Sequence, residues 1–229
     1  MKRAVAYGDC NTEGLKDTPV TVKLWPEIVC DTLSLQLKNC GHTMSTTREL
    51  LFYNEDYPAS NYSVAFIQYG LVDSWLTFKG APYVLYYPDS LRRKIARKIV
   101  KKFKKWARKW QIQDRFGAVE QVPLPEYVHN IQKVVSSAPD TVFVLVATSP
   151  NLDEPRNPRI KQYNDALRQI AEDRSNAVYA DAYEDLWSAR CRALMDDGTH
   201  LSAFGHELVA ARVMAGLKQS SFRPDTPQP

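Results

Sequence analysis

Two short segments at opposite ends of the chain carry the residue types of covalent acyl-transfer chemistry. Near the amino end, an apolar run leads into Gly8-Asp9-Cys10-Asn11, a turn that presents a nucleophile-capable side chain. Near the carboxyl end, Asp197 and His200 lie close together, just before the last predicted helix. A nucleophile, a general base and a carboxylate that orients the base are the three parts of such a site. We therefore predict a triad of Cys10, His200 and Asp197, with Asp9 and Asn11 in the wall of the site.

Cysteine at the nucleophile position leaves three interpretations open. A thiol beside an imidazole ionises readily and would form a thioester, which suits attack by amine or alcohol acceptors as well as water. Alternatively, a serine enzyme has lost its nucleophile and is weakened or inactive, or the residue was substituted deliberately. The four cysteines form no CxxC pair, and the chain has no Gly-rich phosphate loop or metal-ligand cluster. We therefore expect no metal and no cofactor.

Strands alternate with helices along the chain, which indicates a parallel sheet covered by helices on both faces. Cys10, Gly41 and Gly70 each follow the end of a predicted strand, and ligands of such sheets bind at the carboxyl ends of the strands. These positions are therefore expected to meet at one edge. The predicted strands cover 2–7, 35–38, 62–69, 141–147 and 177–180, and the main helices cover 25–33, 43–52, 125–137, a segment from 157, and 202–218.

Composition favours a single domain. The chain has 229 residues, of which 44% are hydrophobic and 24% charged, as in ordinary globular proteins. We predict one domain over 1–219, and a disordered tail over 220–229 because that segment is rich in proline. No apolar run reaches the roughly 18 residues of a membrane span, and the first apolar run is too short for a signal peptide. The expected location is therefore the cytoplasm, or the periphery of the inner membrane face.

The motifs resemble those of the SGNH (GDSL-type) hydrolase family. The amino-terminal segment is similar to that family's first block, Gly-Asp-Ser-x-Thr-x-Gly, with Cys10 in place of serine. The third block, Gly-x-Asn-Asp, is matched with Val72 in place of asparagine. The four segments that carry the resemblance are Gly8 to Gly14, Asn39 to Thr43, Gln68 to Asp73 and Asp197 to His206.

The resemblance implies roles for individual residues. The backbone N–H groups of Cys10 and Gly41 would hold the oxyanion, and Val72 and Asp73 would lie in the wall of the site. The family places a donating asparagine amide at the position of Val72. Valine cannot donate, and the loss of one such donor typically costs about 3 kcal/mol of transition-state stabilisation.

The resemblance also implies a fold and a function. The expected fold is α/β, a flavodoxin-like three-layer α/β/α sandwich with a parallel sheet of about five strands. The expected function is that of an acyl hydrolase or acyltransferase on a carbohydrate or glycoconjugate. The segment from Gly70 to Asp73, followed by a basic stretch, looks like members linked to bacterial surface-polysaccharide assembly. The alternative is an inactive scaffold that binds anionic glycan, a lipid surface or polysaccharide-assembly proteins.

A basic helical insertion is predicted at about 90–113. Eleven Lys and Arg residues and no acidic residue lie between Arg92 and Lys109. Apolar residues recur every three to four positions from Leu91 to Trp110, so they share one helical face. This helix would bind an anionic membrane, an anionic glycan or a phosphate-bearing substrate, or would pack its apolar face on the domain. Nucleic acid is disfavoured because no recognisable nucleic-acid module accompanies it. The residues predicted to bind substrate or surface are Arg92, Arg93, Arg97, Lys98, Lys101 and Lys105.

Overall fold

The computed structural model describes residues 2–14, 22–110 and 117–224. The strands are β1 (Arg3–Gly8), β2 (Gln36–Gly41), β3 (Val64–Gln68), β4 (Leu76–Phe78), β5 (Ala118–Glu120), β6 (Val142–Val146) and β7 (Ala177–Ala180). Five parallel strands form one sheet in the order β2-β1-β3-β6-β7, and β4 and β5 form a separate antiparallel pair. The predicted α/β fold with a five-stranded parallel sheet is confirmed.

Helices cover both faces of the sheet. Side chains alternate between two cores along each central strand, as the period of a strand requires. The helices are α1 (Cys10–Glu13), α2 (Trp25–Thr32), α3 (Thr47–Asp56), α4 (Leu91–Lys109), α5 (Leu124–Ser136), α6 (Asn157–Glu172), α7 (Tyr183–Ser188), α8 (Arg190–Ala193) and α9 (Ala203–Gln219). Tyr7 and Ile67 belong to the core beneath α3, α5 and α6, whereas Ala6 and Phe66 belong to the core beneath α2 and α9.

The order of the strands positions a crevice. The chain passes from β1 to β2 on one side of β1, then returns to place β3 on the other side. Such a reversal opens a crevice at the carboxyl ends of the two strands that flank it. The strands here are β1, which leads into Cys10, and β3, which leads into Gly70. The fold therefore brings the first and third sequence motifs to one edge.

Some predicted boundaries are wrong. Helix α3 begins at Thr47 rather than at 43, because Thr46 and Glu49 form a capping box in which the Glu49 carboxylate accepts the Thr46 N–H at 2.9 Å. The ordered chain continues past 220, because Phe222 is buried in the core beneath α2 and α9. Residues 225–229 of the predicted tail and the end of the predicted basic insertion, 111–113, lie outside the described residues.

Two glycines of α9 differ in how closely they approach the rest of the domain. A Cβ at Gly205 would lie 2.2 Å from the carbonyl oxygen of Ala193, whereas a Cβ at Gly216 would lie 3.5 Å from the carbonyl oxygen of Tyr179. We expect Gly205→Ala to lower the free energy of unfolding by about 1–3 kcal/mol, because α8 and α9 must separate. Gly216→Ala is the control and should raise it by up to about 1 kcal/mol through helix propensity. Urea unfolding of both variants checks this, and equal stability would contradict it.

Candidate active site

The carboxylate of Asp197 organises the histidine segment. Its Oδ2 lies 2.5 Å from Nδ1 of His200, and its Oδ1 accepts the backbone N–H groups of Thr199 and His200 at 2.9 and 3.0 Å. Partial burial acts to raise the pKa of Asp197, but these hydrogen bonds lower it below its ordinary value. The carboxylate is therefore ionised at neutral pH and holds the imidazole by Nδ1, which leaves Nε2 for proton transfer.

Asn11 ties the histidine segment to the start of α1. Its Oδ1 accepts the backbone N–H of Leu201 at 3.0 Å, and its Nδ2 donates to the carbonyl of Thr199 at 3.3 Å. These two hydrogen bonds hold the residues on either side of His200. Asp9 caps α1 and accepts the Asn11 N–H at 2.9 Å. The sequence indicated Asn11 only as part of a wall, whereas the structure makes it the connection between the two motifs.

Cys10 is the first residue of α1 and is buried, with 6% of its surface exposed. It packs with Leu71, Ile160 and Tyr183. Burial raises the pKa of the Cys10 thiol well above its ordinary value, and Asp9 adds to this effect, although the N–H groups of Cys10 and Asn11 oppose it. The expectation of a readily ionised thiol is therefore wrong, because apolar surroundings disfavour the thiolate.

The thiol and the imidazole do not form a bonded pair. Among the hydrogen bonds of the described residues, none joins the sulfur of Cys10 to His200. Catalytic hydrogen bonds are often long in unliganded sites and shorten when substrate is bound. The structure thus brings the three predicted residues to one region, with the base already oriented and the nucleophile still neutral.

The predicted oxyanion donor at Gly41 is engaged elsewhere. Its N–H donates to Oδ1 of Asn39 at 2.8 Å. Asparagine side chains commonly accept a hydrogen bond from the backbone two residues later. A Cβ at Gly41 would lie 2.4 Å from the backbone nitrogen of Glu13, so this position needs glycine because α1 and β2 lie close together. The prediction of a free Gly41 donor is therefore not met.

The sequence comparison identifies the family. The chain matches the GDSL-like Lipase/Acylhydrolase family over residues 6–208. The chain belongs to this GDSL family. A curated relative, the GDSL esterase/lipase CPRD49 of Arabidopsis thaliana, is 28% identical in an alignment of 131 residues, and the match covers 47% of this chain and 50% of the relative. The chain thus matches about half the length of that relative.

Solved structures share the GDSL fold over nearly the whole chain. The acetylxylan esterase Axe2 of Geobacillus stearothermophilus superposes with a TM-score of 0.61 at 18% identity, covering 99% of this chain and 97% of Axe2. A lipase/acylhydrolase of Enterococcus faecalis gives a TM-score of 0.66 at 16% identity, covering 99% of this chain and 100% of that protein. At this level of identity the likeness establishes the fold.

Two carboxyl groups predicted in the wall of the GDSL site are buried instead. Asp73 has no exposed surface; its Oδ1 accepts the backbone N–H and the hydroxyl of Thr47 at 2.9 and 2.7 Å. Its Oδ2 is buried with no hydrogen-bond partner. Burial raises the pKa of Asp73, and that of Asp9, to about 7. Both predictions are corrected, because the side chains support the starts of α3 and α1 rather than face a ligand.

A cavity of about 600 Å³ adjoins the GDSL site at Val72. Val72 follows Leu71, which contacts Cys10, although neither Cys10 nor His200 lines the cavity. Of the six predicted binding residues in the basic helix, Arg97 and Lys101 line the cavity, whereas Arg92, Arg93, Lys98 and Lys105 do not. Sequence reasoning missed the other walls, which are distant in the chain. These include Trp75, Tyr83, Tyr86, Arg156 and Arg159.

The described part of the GDSL domain contains neither a metal-binding cluster nor a membrane-spanning helix. Within 2–14, 22–110 and 117–224, no three His, Cys, Asp or Glu side chains are grouped so as to hold a metal ion. In the same ranges no helix combines the length and the apolar character needed to cross a bilayer.

Proposed function

We propose that the protein is an acyl hydrolase or acyltransferase that acts on an ester of a carbohydrate or glycoconjugate through Cys10, His200 and Asp197. The observation that carries this proposal is the Asp197–His200 pair, joined at 2.5 Å and held against the start of α1 by Asn11. A buried asparagine that bonds both neighbours of one histidine restricts where the imidazole can lie. Membership of the GDSL-like lipase/acylhydrolase family supports the same class of reaction.

The proposed reaction begins from a neutral thiol. As the sulfur of Cys10 bonds to the acyl carbon, its proton passes to Nε2 of His200, and the carbonyl oxygen takes the negative charge. The imidazolium, stabilised by Asp197, then gives this proton to the leaving alcohol as the C–O bond breaks, which leaves a thioester. Water or an acceptor alcohol attacks the thioester and gives its proton to His200. The sulfur leaves and regains the proton.

Stabilisation of the oxyanion is the weak part of this site. The N–H of Cys10 at the start of α1 is available from the backbone, whereas that of Gly41 must first leave Asn39. The side chain of Val72 has no hydrogen-bond donor to offer the oxyanion. Since each missing donor costs about 3 kcal/mol, slow turnover is expected of the present sequence.

The cavity supports a carbohydrate substrate. Aromatic side chains and a few charged donors are typical of small-ligand sites, and Trp75, Tyr83 and Tyr86 line this cavity beside Arg159. Axe2, which shares the fold, is an acetylxylan esterase. We expect the protein to release acetate from acetylated xylo-oligosaccharides, and Tyr86→Ala to raise KM for them about 10-fold while leaving p-nitrophenyl acetate hydrolysis unchanged. Equal effects on both substrates would argue against the cavity as the sugar site.

A covalent adduct tests the proposal most directly. Incubation with p-nitrophenyl acetate, followed by peptide mass spectrometry, should show acetyl at Cys10. Cys191 is exposed and would react without catalysis, so Cys191→Ala is the background in which the adduct is mapped. The adduct should be lost in the added variant Cys10→Ala. Absence of the adduct, together with no effect of His200→Ala on hydrolysis, would overturn the covalent mechanism.

A second candidate, a catalytically inactive scaffold, is favoured by the buried neutral thiol and by Val72. Cys10→Ser separates the two candidates. A fall in esterase rate is expected if the thiol is the nucleophile. A large gain would show that cysteine has replaced a working serine, which would support the scaffold.

Asn11 is proposed as a positioning residue. Asn11→Ala removes both hydrogen bonds to the histidine segment and should lower kcat/KM about 10- to 100-fold, because small displacements of a catalytic base are costly. Asn11→Asp keeps the acceptor for Leu201 and should lose less. The pH profile of kcat/KM should shift in Asn11→Ala, since the imidazole environment changes. Lower stability with an unchanged rate would contradict this role.

A further inference from the structure

The basic helix α4 exposes its apolar stripe rather than packing it on the domain. The stripe comprises side chains with 42% to 78% of their surface exposed. At 3.6 residues per turn its members fall within an arc of about 120° of the helix. The sequence left open whether this stripe packs on the domain, and the structure leaves it facing solvent. The members are Leu91, Ile95, Ile99, Phe103, Trp106 and Trp110.

The opposite side of α4 is the one that contacts the domain. Arg97, Val100 and Lys101 line the cavity, and they lie roughly 160° around the helix from the centre of the stripe. Arg97 donates to the carbonyl of Leu85 at 2.8 Å. Of the stripe, Phe103 alone has a described ring contact with the domain, an edge contact with Phe78 at 5.6 Å between centroids. The side of the helix that carries Arg97 thus contacts the domain, and the apolar stripe on the other side faces solvent.

The charge of α4 indicates which kind of partner can bind this surface. The segment from Arg92 to Lys109 carries eleven cations and no acidic residue, and in the described side chains only Lys94 and Arg97 pair with an acid, Asp89. A symmetric contact with a second copy would bring two such helices together, which like charges oppose. A polyanionic glycan or nucleic acid would satisfy the cations but would leave the aliphatic residues exposed to water.

We propose that α4 docks the protein on an anionic membrane surface, with its apolar stripe inserted at the boundary between headgroups and acyl chains. Cations flank the stripe and meet anionic headgroups, while leucine, isoleucine and aromatic side chains leave water. A contiguous exposed apolar patch bordered by charge is the usual mark of such a surface. This docking does not depend on whether Cys10 turns over substrate.

Vesicle sedimentation of the full-length protein tests the proposal. We expect at least 10-fold stronger partitioning to vesicles of phosphatidylcholine and phosphatidylglycerol at 3:1 than to phosphatidylcholine alone, with a blue shift of tryptophan fluorescence. The double variant Ile95→Asp, Ile99→Asp should lose at least 10-fold in partitioning. Leu152→Asp changes an apolar residue that is also 42% exposed but lies outside α4, and it should bind as the parent does.

A charge variant and a catalytic variant complete the test. Lys98→Gln, Lys102→Gln and Lys105→Gln together should reduce the preference for anionic vesicles about 5-fold or more, whereas His200→Ala should bind normally. Equal partitioning to both kinds of vesicle would overturn the proposal. Binding to heparin or an oligonucleotide without vesicle binding would also overturn it. So would a dimer that the Ile95 and Ile99 changes abolish, with no vesicle binding.

Discussion

Replacement of His200 by alanine is expected to lower kcat/KM for p-nitrophenyl acetate about 10³-fold or more. The neutral Cys10 thiol needs a base at the moment of attack, and the structure orients His200 for that role through Asp197. Loss of one triad member typically removes most of the rate, since the members act as a unit. Stopped-flow or steady-state release of p-nitrophenolate measures the loss.

Two further measurements isolate the role of the imidazole. His129→Ala removes an exposed histidine of α5 that is outside the predicted triad and should leave the rate unchanged. Free imidazole should restore part of the rate of His200→Ala, because it can enter the space that the side chain leaves. Retention of the parent rate in His200→Ala would show that hydrolysis does not use this base.

Between pH 5 and pH 8 the Asp73 titration is expected to lower the free energy of unfolding of the parent by about 2–3 kcal/mol. Asp73→Asn is expected to abolish this part of the pH dependence. Burial raises the pKa of folded Asp73 to about 7 from an ordinary value of 3.8. Between these values the folded protein keeps a proton that the unfolded chain releases, so the stabilisation is complete below about pH 4. It is lost as pH rises towards 7.

The asparagine variant removes this titration. At pH 5 the protonated acid and the amide both place an unpaired donor at the position of Oδ2, so the two proteins should have similar free energies of unfolding. At pH 8 the variant should be the more stable. Asp140→Asn, an exposed change of the same charge, is the control. Parallel pH curves for Asp73→Asn and the parent would show that Asp73 is not protonated in the folded protein.

The sheet was predictable because its signals are local. The apolar strands and the helices between them fixed the number of strands and the edge where Cys10 and Gly70 lie. The pair of β4 and β5 was missed because each strand has three residues, and α7 and α8 are too short to show a period. The start of α3 was misplaced although the signature of a capping box, Thr46 followed by Glu49, is present in the sequence.

The site was predictable in its residue types but not in its chemistry. The spacing of Asp197 and His200 predicts that they pair, since both belong to one turn. The partners of Asn11 are 188 and 190 positions away, and no local pattern encodes them. The neutral state of Cys10 and the engagement of Gly41 by Asn39 follow from burial and from the approach of α1 to β2. These are properties of tertiary packing.

The Asn11 hydrogen bonds also set when this site can exist. Asn11 leaves the ribosome well before Thr199 and Leu201, which follow it by 188 and 190 positions. The Thr199 carbonyl and the Leu201 N–H that Asn11 bonds are therefore missing while the residues between them are made. A chain that ends before Thr199 contains Cys10, yet it holds no oriented base. The site is thus incomplete until the segment from Thr199 to Leu201 has docked on the start of α1, which couples its competence to the meeting of two distant parts of the chain.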